Sequence, residues 1–321
     1  MTIKIAGTGI GLPRRQVSND DLVAITGLDT SDQWIASRTG IRSRHVCQDE
    51  TLTDLATTAA RNALEDAGIP ADQIDYLMCA TVSADTRTPS LACAVAERLG
   101  VTCAAADLNG ACSGFLYALD LVSCMVQTGR ARNVLIVCAE KMSAHTDWSD
   151  RSTCVLFGDG AAACVVTPGT MLKYIHVATI PDTAAITMRN DMAGTNPLAR
   201  DIEPSCFVQM DGQRVFKYAV SIIEQEVPRA LDALGLTAED IDYYLIHQAN
   251  KRIIDFAISR LGQPSEKFPI NIDRYGNISA VSIPLLLHQM RQAGQVRPGQ
   301  TFFLCAFGAG MTYGSCVWEW E

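Results

Sequence analysis

The chain has 321 residues, of which 48% are hydrophobic and only 19% charged, and its formal net charge is −9 at pH 7. This composition predicts a globular protein with a substantial core, organised as one large or two medium domains. The negative charge argues against nucleic-acid binding as the main function, because phosphate backbones require a basic surface.

Twelve cysteines are spread along the chain, and even the closest pair, Cys103 and Cys112, is nine positions apart. This spacing excludes a Cys-x-x-Cys pair for zinc or redox chemistry, so we expect no metal site. Most of the cysteines lie in apolar runs, as Cys138 and Cys305 do, where they behave as small hydrophobic residues. The N-terminus begins as a strand rather than a signal peptide, and no apolar stretch is long enough to span a membrane. We therefore predict a cytoplasmic protein with free thiols.

Short apolar runs alternate with amphipathic segments along the chain, and this alternation is typical of an α/β protein. Gly68 and Gly100 each follow an amphipathic segment, at the position where a glycine commonly ends a helix. The predicted helices of the first half are 54–67, 89–99 and 116–127, and its predicted strands are 74–81, 133–138 and 161–166.

The second half repeats the rhythm of the first. Phe157-Gly158-Asp159-Gly160 and Phe307-Gly308-Ala309-Gly310 each stand before an apolar strand near the end of a half. We interpret this as an internal duplication with halves 1–170 and 171–321. Residues 167–210 contain several prolines and are predicted to form a loop-rich segment over one face. The second half has predicted helices at 220–234 and 251–261 and predicted strands at 243–246, 301–307 and 312–320.

A glycine-rich segment, Gly7-Thr8-Gly9-Ile10-Gly11, follows the first predicted strand and invites a dinucleotide-binding interpretation. That fingerprint requires a third glycine where this chain has Leu12, and the following Pro13-Arg14-Arg15 does not begin an apolar helix. We therefore do not predict a dinucleotide site at this position. Gly158-Asp159-Gly160 is likewise predicted to be a tight turn rather than a phosphate-binding loop.

Cys112 differs from the other cysteines in its surroundings. It lies between a strand-like run and the predicted helix 116–127, and small residues around it leave space for a substrate. The positive end of a helix dipole lowers the pKa of a cysteine at that position and favours the reactive thiolate. Cys112 is thus a candidate nucleophile, and the alternative is a core cysteine like its eleven companions.

Two polar residues of the second half are candidate partners of Cys112. His247 directly follows the predicted strand 243–246, and catalytic groups of α/β proteins gather at such strand ends. Asn277 occupies a small-residue turn before the helical segment that contains Pro284. Taken singly, each of these two residues has an equally plausible structural role.

Three segments, in this order, resemble the Cys-His-Asn triad of β-ketoacyl-acyl carrier protein synthase III: Asn-Gly-Ala-Cys112-Ser-Gly-Phe, Ile-His247-Gln-Ala-Asn-Lys-Arg and Gly-Asn277-Ile-Ser-Ala. The segment from Thr30 to Arg42 is similar to the N-terminal motif of the family, and the closing Ala-Phe-Gly-Ala-Gly-Met-Thr-Tyr-Gly also matches. The likeness covers nearly the whole chain and is weakest between residues 168 and 208.

The resemblance implies an α/β protein with the thiolase-like fold, two duplicated halves in five αβαβα layers, and a homodimer. It implies the initiating condensing enzyme of type II fatty acid synthesis, an acyltransferase without a metal or redox cofactor. Cys112 would take a short acyl group, acetyl by default, from acyl-CoA. Malonyl-acyl carrier protein would then lose CO2 and attack the acyl-cysteine, which gives a 3-oxoacyl-acyl carrier protein.

The resemblance also assigns roles to residues around the nucleophile. His247 and Asn277 would donate hydrogen bonds to the thioester oxygen that becomes negative during decarboxylation. The backbone N–H groups of Cys112 and Ala309 would form a second oxyanion hole. The family often has Gly-Gly-Gly where this chain has Gly308-Ala309-Gly310, so the position must tolerate a non-glycine backbone angle.

For CoA, the resemblance places Trp34 and Arg151 on either side of the adenine and Thr30 and Arg38 near the nucleotide, because stacking and cationic contacts suit an adenine nucleotide. Two further residues would line the pantetheine tunnel, Gly212 and Asn250.

A local group of cations, Lys217, Lys251, Arg252 and Arg260, stands out in this acidic chain. The resemblance suggests a docking surface for an acidic carrier protein, whereas charges on a helix are more often simply solvated. Thr88 occupies a position that is often aromatic in the family and reaches into the partner subunit's acyl pocket, which predicts space for a primer larger than acetyl.

Two other functions remain open from the sequence. One is a condensing enzyme or acyltransferase of secondary metabolism that uses the same triad with a different primer. The other is a catalytically silent partner subunit, which we expect to lack the nucleophile that this chain retains.

Overall fold

The computed structural model describes residues 2–189 and 206–321. Strands and helices alternate along these two stretches, as the apolar pattern predicts. The strands are β1 (Thr2–Gly11), β2 (Gln16–Ser18), β3 (Ser43–His45), β4 (Tyr76–Ala80), β5 (Ala104–Leu108), β6 (Val134–Lys141), β7 (Asp159–Gly169), β8 (Leu172–Asp182), β9 (Ile186–Met188), β10 (Val208–Met210), β11 (Tyr243–Ile246), β12 (Thr301–Phe307) and β13 (Gly310–Glu319). The α-helices are α1 (Asn19–Thr26), α2 (Asp32–Thr39), α3 (Leu52–Ala67), α4 (Leu91–Leu99), α5 (Gly114–Gln127), α6 (Gly212–Leu234), α7 (Lys251–Leu261), α8 (Ile272–Tyr275) and α9 (Ser282–Gln292).

Two larger sheets form the frame of the molecule. The first has the strand order β1-β7-β6-β4-β5, and the second has the order β8-β13-β12-β11. In both sheets, a parallel pair of strands is followed by two antiparallel neighbours. The parallel pair β4 and β6 of the first sheet corresponds to β11 and β12 of the second, and the antiparallel strands β7 and β1 correspond to β13 and β8. This correspondence supports the duplication. The boundary near residue 170 remains our proposal, and it falls between the end of β7 and the start of β8.

The helices and sheets pack as five layers. Helices α3 and α4 cover the outer face of the first sheet, and α6 and α7 cover the outer face of the second. Helices α5 and α9 lie between the sheets in the largest apolar cluster. The predicted thiolase-like α/β architecture is thereby confirmed. In the described part of the chain, no helix is both long and apolar enough to cross a membrane.

The glycines of β1 explain how closely α3 approaches the first sheet. A Cβ atom at Gly7 would overlap the backbone of Ala63 and Ala67, and one at Gly9 would overlap the carbonyl oxygen of Ala59. Alanines on the facing side of α3 complete this close contact. The Gly-x-Gly-x-Gly segment therefore serves helix–sheet packing, as expected for glycines where two backbones meet.

The prediction of a loop-rich segment over 167–210 was wrong for its first part. Residues Leu172–Asp182 form β8, which pairs along β13 as the edge strand of the second sheet. Pro181 lies near the end of this edge strand, where a missing N–H is tolerated. Pro197 and Pro204 lie outside the described residues. Helix α6 also begins earlier than predicted, because the Asp211 side chain accepts from the N–H of Arg214 and caps it.

Candidate active site

A cavity of about 1020 Å³ lies where the two halves meet, and residues of both halves line it. Most of the residues singled out from the sequence are among its lining. Those that line it are Cys112, His247, Asn277, Ala309, Trp34, Arg38, Arg151, Gly212, Lys217, Asn250 and Arg252. Those that do not are Thr30, Thr88, Lys251 and Arg260.

Cys112 lies in a single 3₁₀ turn directly before α5, at the carboxyl end of β5. The preceding Ala111 has a φ of +46°, a strained left-handed conformation for a residue with a side chain. The turn is tied to the second half by Thr312, whose hydroxyl donates to the Gly110 carbonyl at 3.0 Å and bonds the Ser113 hydroxyl at 2.8 Å. These hydrogen bonds hold the strained turn in place and keep the Cys112 sulfur at the cavity wall.

The expected lowering of the Cys112 pKa is not found. The pKa of the Cys112 thiol is raised to about 12, mainly by burial; the Ser279 hydroxyl opposes this rise, and the negative charge of Glu140 adds to it. Desolvation of a thiolate thus outweighs the dipole of the helix start. Cys112 is protonated at neutral pH, so attack on a thioester requires that the thiol lose a proton.

His247 follows β11 and is almost fully buried, with 1% of its surface exposed. The backbone N–H of His247 donates to the Cys305 carbonyl at 2.9 Å. Its imidazole ring contacts the Phe307 ring edge-on, with 5.5 Å between the ring centroids. Burial lowers the pKa of His247 to about 3, so the imidazole is neutral. A neutral imidazole still carries one donor nitrogen, which suits hydrogen bonding to an oxyanion.

Asn277 is held by both halves. The backbone N–H of Asn277 donates to the Leu156 carbonyl at 2.9 Å, and its backbone carbonyl accepts from the Gly158 N–H at 3.1 Å. The Ser279 N–H donates to its Oδ1 at 2.8 Å, which fixes the amide orientation. The Nδ2 donor of Asn277 is left without a protein partner among the described residues. The Phe157-Gly158 motif therefore positions the asparagine rather than a phosphate.

The loop between β12 and β13 lies against Cys112. A Cβ atom at Gly308 would stand 2.6 Å from the Cys112 nitrogen, so only glycine allows this approach. Among the described residues other than glycine, only Ala111 and Ser279 have a positive φ. Ala309 therefore has an ordinary, negative φ. The methyl group of Ala309 is therefore tolerated at this position. The backbone N–H of Ala309 makes no hydrogen bond with another described residue.

Two guanidinium groups lie over the ring of Trp34 in the cavity wall. The Arg151 guanidinium is 4.9 Å from the centre of the Trp34 ring, and that of Arg38 is 5.6 Å away. Arg151 also donates to the Asp29 carbonyl at 2.7 Å. An adenine between Trp34 and Arg151 would require this arginine to move. The Thr30 hydroxyl is buried beside them without a hydrogen-bond partner in the described chain.

The cavity wall also contains Gly212, Asn250 and a group of apolar side chains. Gly212 begins α6 and would have open space around a Cβ atom, and Asn250 caps α7 by accepting from the Arg252 N–H at 3.0 Å. Apolar side chains from two hydrophobic clusters line the cavity, with Ile253 and Phe307 from the cluster of the second sheet. The lining residues from the other cluster are Val82, Met142, Val155, Leu156, Phe157, Ile186, Met188, Val208 and Met210.

The four candidate docking cations differ in their pairing. Arg260 forms an ion pair with Glu224 at 2.7 Å, and Lys251 forms one with Asp255. Lys217 and Arg252 are exposed at the cavity and make no ion pair within the described residues, although Arg252 packs on the Phe216 ring at 5.6 Å. The cationic character of the cavity edge therefore rests on Lys217 and Arg252.

Thr88 is exposed and lies outside the cavity of its own chain. Three residues near the site were not predicted from the sequence: Ser279, which acts on the thiol, Thr312, which bonds the Cys112 turn, and the buried Glu140. Glu140 carried a signal, since it is a charged residue at the end of the apolar run of β6. Ser279 and Thr312 lie inside segments that resemble the family, but nothing in the sequence indicated a role for either side chain.

Five α/β layers, with a cysteine at a helix start and a histidine and an asparagine in one cavity, define a class: the thiolase-like condensing acyltransferases. Two family models match the chain, 3-oxoacyl-[acyl-carrier-protein (ACP)] synthase III over residues 106–180 and its C-terminal counterpart over residues 231–320. The β-ketoacyl-[acyl-carrier-protein] synthase III of Xanthomonas campestris pv. campestris is 43% identical over 98% of this chain and 97% of its own.

Solved structures agree with this match. The 3-oxoacyl-[acyl-carrier-protein] synthase III from Aquifex aeolicus VF5 has a TM-score of 0.91 and 38% identity, and covers 99% of this chain and 100% of its own. The priming β-ketosynthase of the R1128 polyketide pathway has a TM-score of 0.90 and 34% identity, over 100% and 96% of the two chains. This chain belongs to the 3-oxoacyl-acyl carrier protein synthase III family, and it is an acyltransferase of the condensing type.

Proposed function

We propose that the protein catalyses the initiating condensation of fatty acid synthesis. A short acyl group, acetyl by default, passes from CoA to Cys112 and is then joined to the malonyl group of malonyl-acyl carrier protein. The products are a 3-oxoacyl-acyl carrier protein and CO2. The observation that carries this proposal is one continuous cavity that holds Cys112, His247 and Asn277 together with the Trp34–Arg151 pair.

The first half-reaction moves the acyl group onto the protein. The Cys112 sulfur attacks the thioester carbon, and the N–H groups of Cys112 and Ala309 donate hydrogen bonds to the negative oxygen of the tetrahedral intermediate. Collapse of the intermediate releases CoA. Gly308 supports this step, because its missing side chain lets the Ala309 loop lie against the nucleophile.

The second half-reaction generates the carbon nucleophile. Loss of CO2 places negative charge on the malonyl thioester oxygen, and donors aimed at that oxygen lower the barrier. The neutral ring of His247 and the Nδ2 group of Asn277 are suited to this role. The resulting enolate attacks the acyl carbon on Cys112 and restores the thiol. The chemistry as written requires no redox or metal cofactor.

Substrate binding follows the polarity of the cavity. Trp34, Arg38 and Arg151 suit the adenine nucleotide of CoA, with Thr30 next to them, and Gly212 and Asn250 suit the pantetheine arm. Lys217 and Arg252 form the part of the docking surface that is free to attract an acidic carrier protein, and Lys251 and Arg260 extend it. The apolar part of the lining suits a short acyl chain.

A homodimer and a cytoplasmic location complete the proposal. β5 is an edge strand whose residues are exposed or half-buried, as expected for an edge that a second copy covers. In such a dimer Thr88 would approach the partner subunit's acyl pocket and leave space for a larger primer. All twelve cysteines are free thiols, which suits a reducing compartment. The alternative role in secondary metabolism is not favoured by the comparisons.

Intact-protein mass spectrometry after exposure to a panel of acyl-CoAs tests this function. We expect a single acyl adduct on the wild-type protein with a short chain, and none on Cys112→Ser. Subsequent addition of malonyl-acyl carrier protein should remove the adduct and release CO2. The proposal is wrong if no acyl-CoA modifies the protein, or if the serine variant condenses malonyl-acyl carrier protein at the normal rate.

A further inference from the structure

Glu140 is a fully buried carboxyl group behind the nucleophile, and the mechanism above leaves it without a role. It ends the buried run of β6 and has no exposed surface. Its Oε2 atom accepts from the Ser83 hydroxyl at 2.5 Å and from the Val82 N–H at 3.2 Å. Its Oε1 atom has no hydrogen-bond partner among the described residues. A buried, unsatisfied carboxyl oxygen is costly, which indicates that the position serves a function.

Ser279 begins a short 3₁₀ turn, residues 279–281, that packs against both β6 and the turn that carries Cys112. Its hydroxyl acts on both groups, since it lowers the pKa of Cys112 and also that of Glu140. Its φ of +46° is strained, and its N–H is bound to Asn277 Oδ1 at 2.8 Å. Strain of this kind persists where the surroundings impose it, often at catalytic sites. The strained turn thus brings the serine hydroxyl close enough to act on both the thiol and the carboxyl group.

We propose that Glu140 accepts the proton of the Cys112 thiol through the Ser279 hydroxyl during acylation. The thiol proton passes to Ser279 Oγ while the proton of that hydroxyl passes to the Glu140 carboxylate. The sulfur forms its bond to the thioester carbon, and the bond from that carbon to the CoA sulfur then breaks. The departing CoA thiolate takes the proton back by the same route, so the carboxylate and the hydroxyl are regenerated. This inference rests on the proposed function.

The ionisation of the neighbouring groups supports this direction of transfer. Burial raises the pKa of Glu140 to about 7, so the carboxylate is a usable base near neutral pH. Burial lowers the pKa of His247 to about 3, so the imidazole is a poor proton acceptor. Among the described residues, the Cys112 and Cys138 thiols are the groups whose pKa values the charge of Glu140 raises. The adjacent Lys141 points its Nζ to the Glu50 carbonyl at 3.1 Å.

The pH dependence of single-turnover acylation by acetyl-CoA, followed by intact mass, tests the role of Glu140. In the wild-type protein, we expect the rate to rise with pH and level off above about pH 7, where Glu140 is ionised. For Glu140→Gln, we expect a rate near neutral pH that is lower by about 10²-fold. That rate should keep rising about tenfold per pH unit, because the thiol must then ionise unaided.

Two more variants separate this role from a structural one. Ser279→Gly removes the hydroxyl, relieves the strained φ and keeps the backbone bond to Asn277, and we expect the same altered pH profile. Glu226→Gln removes another buried carboxyl group, which bonds His176 at 2.9 Å and Ser315 at 2.6 Å outside the cavity. This control should change stability and leave the pH profile as in the wild type.

The possible results distinguish the two proposals. If both Glu140→Gln and Ser279→Gly level off above neutral pH as the wild type does, Glu140 is not the proton acceptor, even if the rates are uniformly slower. If Glu140→Gln fails to fold in thermal unfolding, the Ser279→Gly profile decides alone. If the wild-type protein itself is never acylated, the proposed function fails first.

Discussion

Asn277 shows how a single amide can have a structural and a chemical role. Its Oδ1 is occupied by the Ser279 N–H, so only its Nδ2 can serve an oxyanion. Asn277→Asp keeps the acceptor and replaces that donor with a negative oxygen. We expect malonyl-acyl carrier protein decarboxylation to fall by about 10²–10³-fold, while single-turnover acylation of Cys112 changes little. Measured CO2 release gives the first quantity, and an equal loss of both would contradict the assignment.

The loop residues Gly308 and Ala309 offer a matched pair of substitutions. Gly308→Ala places a methyl group 2.6 Å from the Cys112 nitrogen, so the loop must move away from the nucleophile. We expect acylation to slow by about 10²-fold, since small misplacements of reacting groups have effects of that size. Ala309→Gly keeps the N–H and restores the family's triple glycine, and its loss should be far smaller. Stopped-flow release of CoA measures both, and equal losses would refute this account of the loop.

At the level of residues, the sequence was sufficient to place Cys112 at the start of a helix but not to predict the ionisation of its thiol. The position of Cys112 at a helix start followed from the pattern, and the structure agrees. Its pKa depends on burial and on Glu140, which come from the three-dimensional packing and are not local in sequence. The Cys112–Ser279–Glu140 arrangement joins three distant segments, so no single motif reveals it.

At the level of elements, the contact between β1 and α3 gives a stability prediction. Gly9→Ala would push its methyl group into the backbone of α3 at Ala59 and Ala63. We expect the free energy of unfolding to fall by about 1–3 kcal/mol, as for overpacking elsewhere. Urea denaturation measures this loss, and Cys112 acylation in the folded protein should persist. An unchanged stability would show that α3 does not pack as closely as described.

Some elements were predictable to the residue and others were not. β11, α7 and β12 have the predicted bounds, because each is a strong apolar or amphipathic run between clear end signals. β8 was missed because its middle residues are only half-buried and two prolines flank or end it. Edge strands carry a weaker apolar signal than central ones, and their pairing depends on a distant partner strand.

At the level of the whole molecule, duplication explains where the site lies. Each half contributes one sheet, and the cysteine comes from the first half and the histidine and asparagine from the second. The Phe157-Gly158 segment of the first half holds Asn277, while the loop after β12 in the second half holds Cys112. The similar endings of the halves, noticed in the sequence as a repeat, thus support opposite sides of one cavity.

The distribution of charge over the molecule is expected to affect the binding of the carrier protein more than the reaction with acetyl-CoA. The chain is acidic overall, yet Lys217 and Arg252 lie at the cavity without a described ion-pair partner. Arg252→Glu should therefore raise the KM for malonyl-acyl carrier protein by about tenfold and weaken its salt dependence. Acylation by acetyl-CoA should remain near the wild-type rate, because it does not use the carrier protein.

Arg132→Glu is the matched control for this charge reversal. Arg132 is exposed, lies outside the cavity and precedes the start of β6, whereas Glu140 and the site lie at the other end of that strand. The net charge changes equally in both variants, so a general electrostatic effect would raise the carrier-protein KM in both. Steady-state kinetics at two salt concentrations distinguishes the cases. An unchanged KM in Arg252→Glu would remove this residue from the docking surface and leave Lys217 to be tested in the same way.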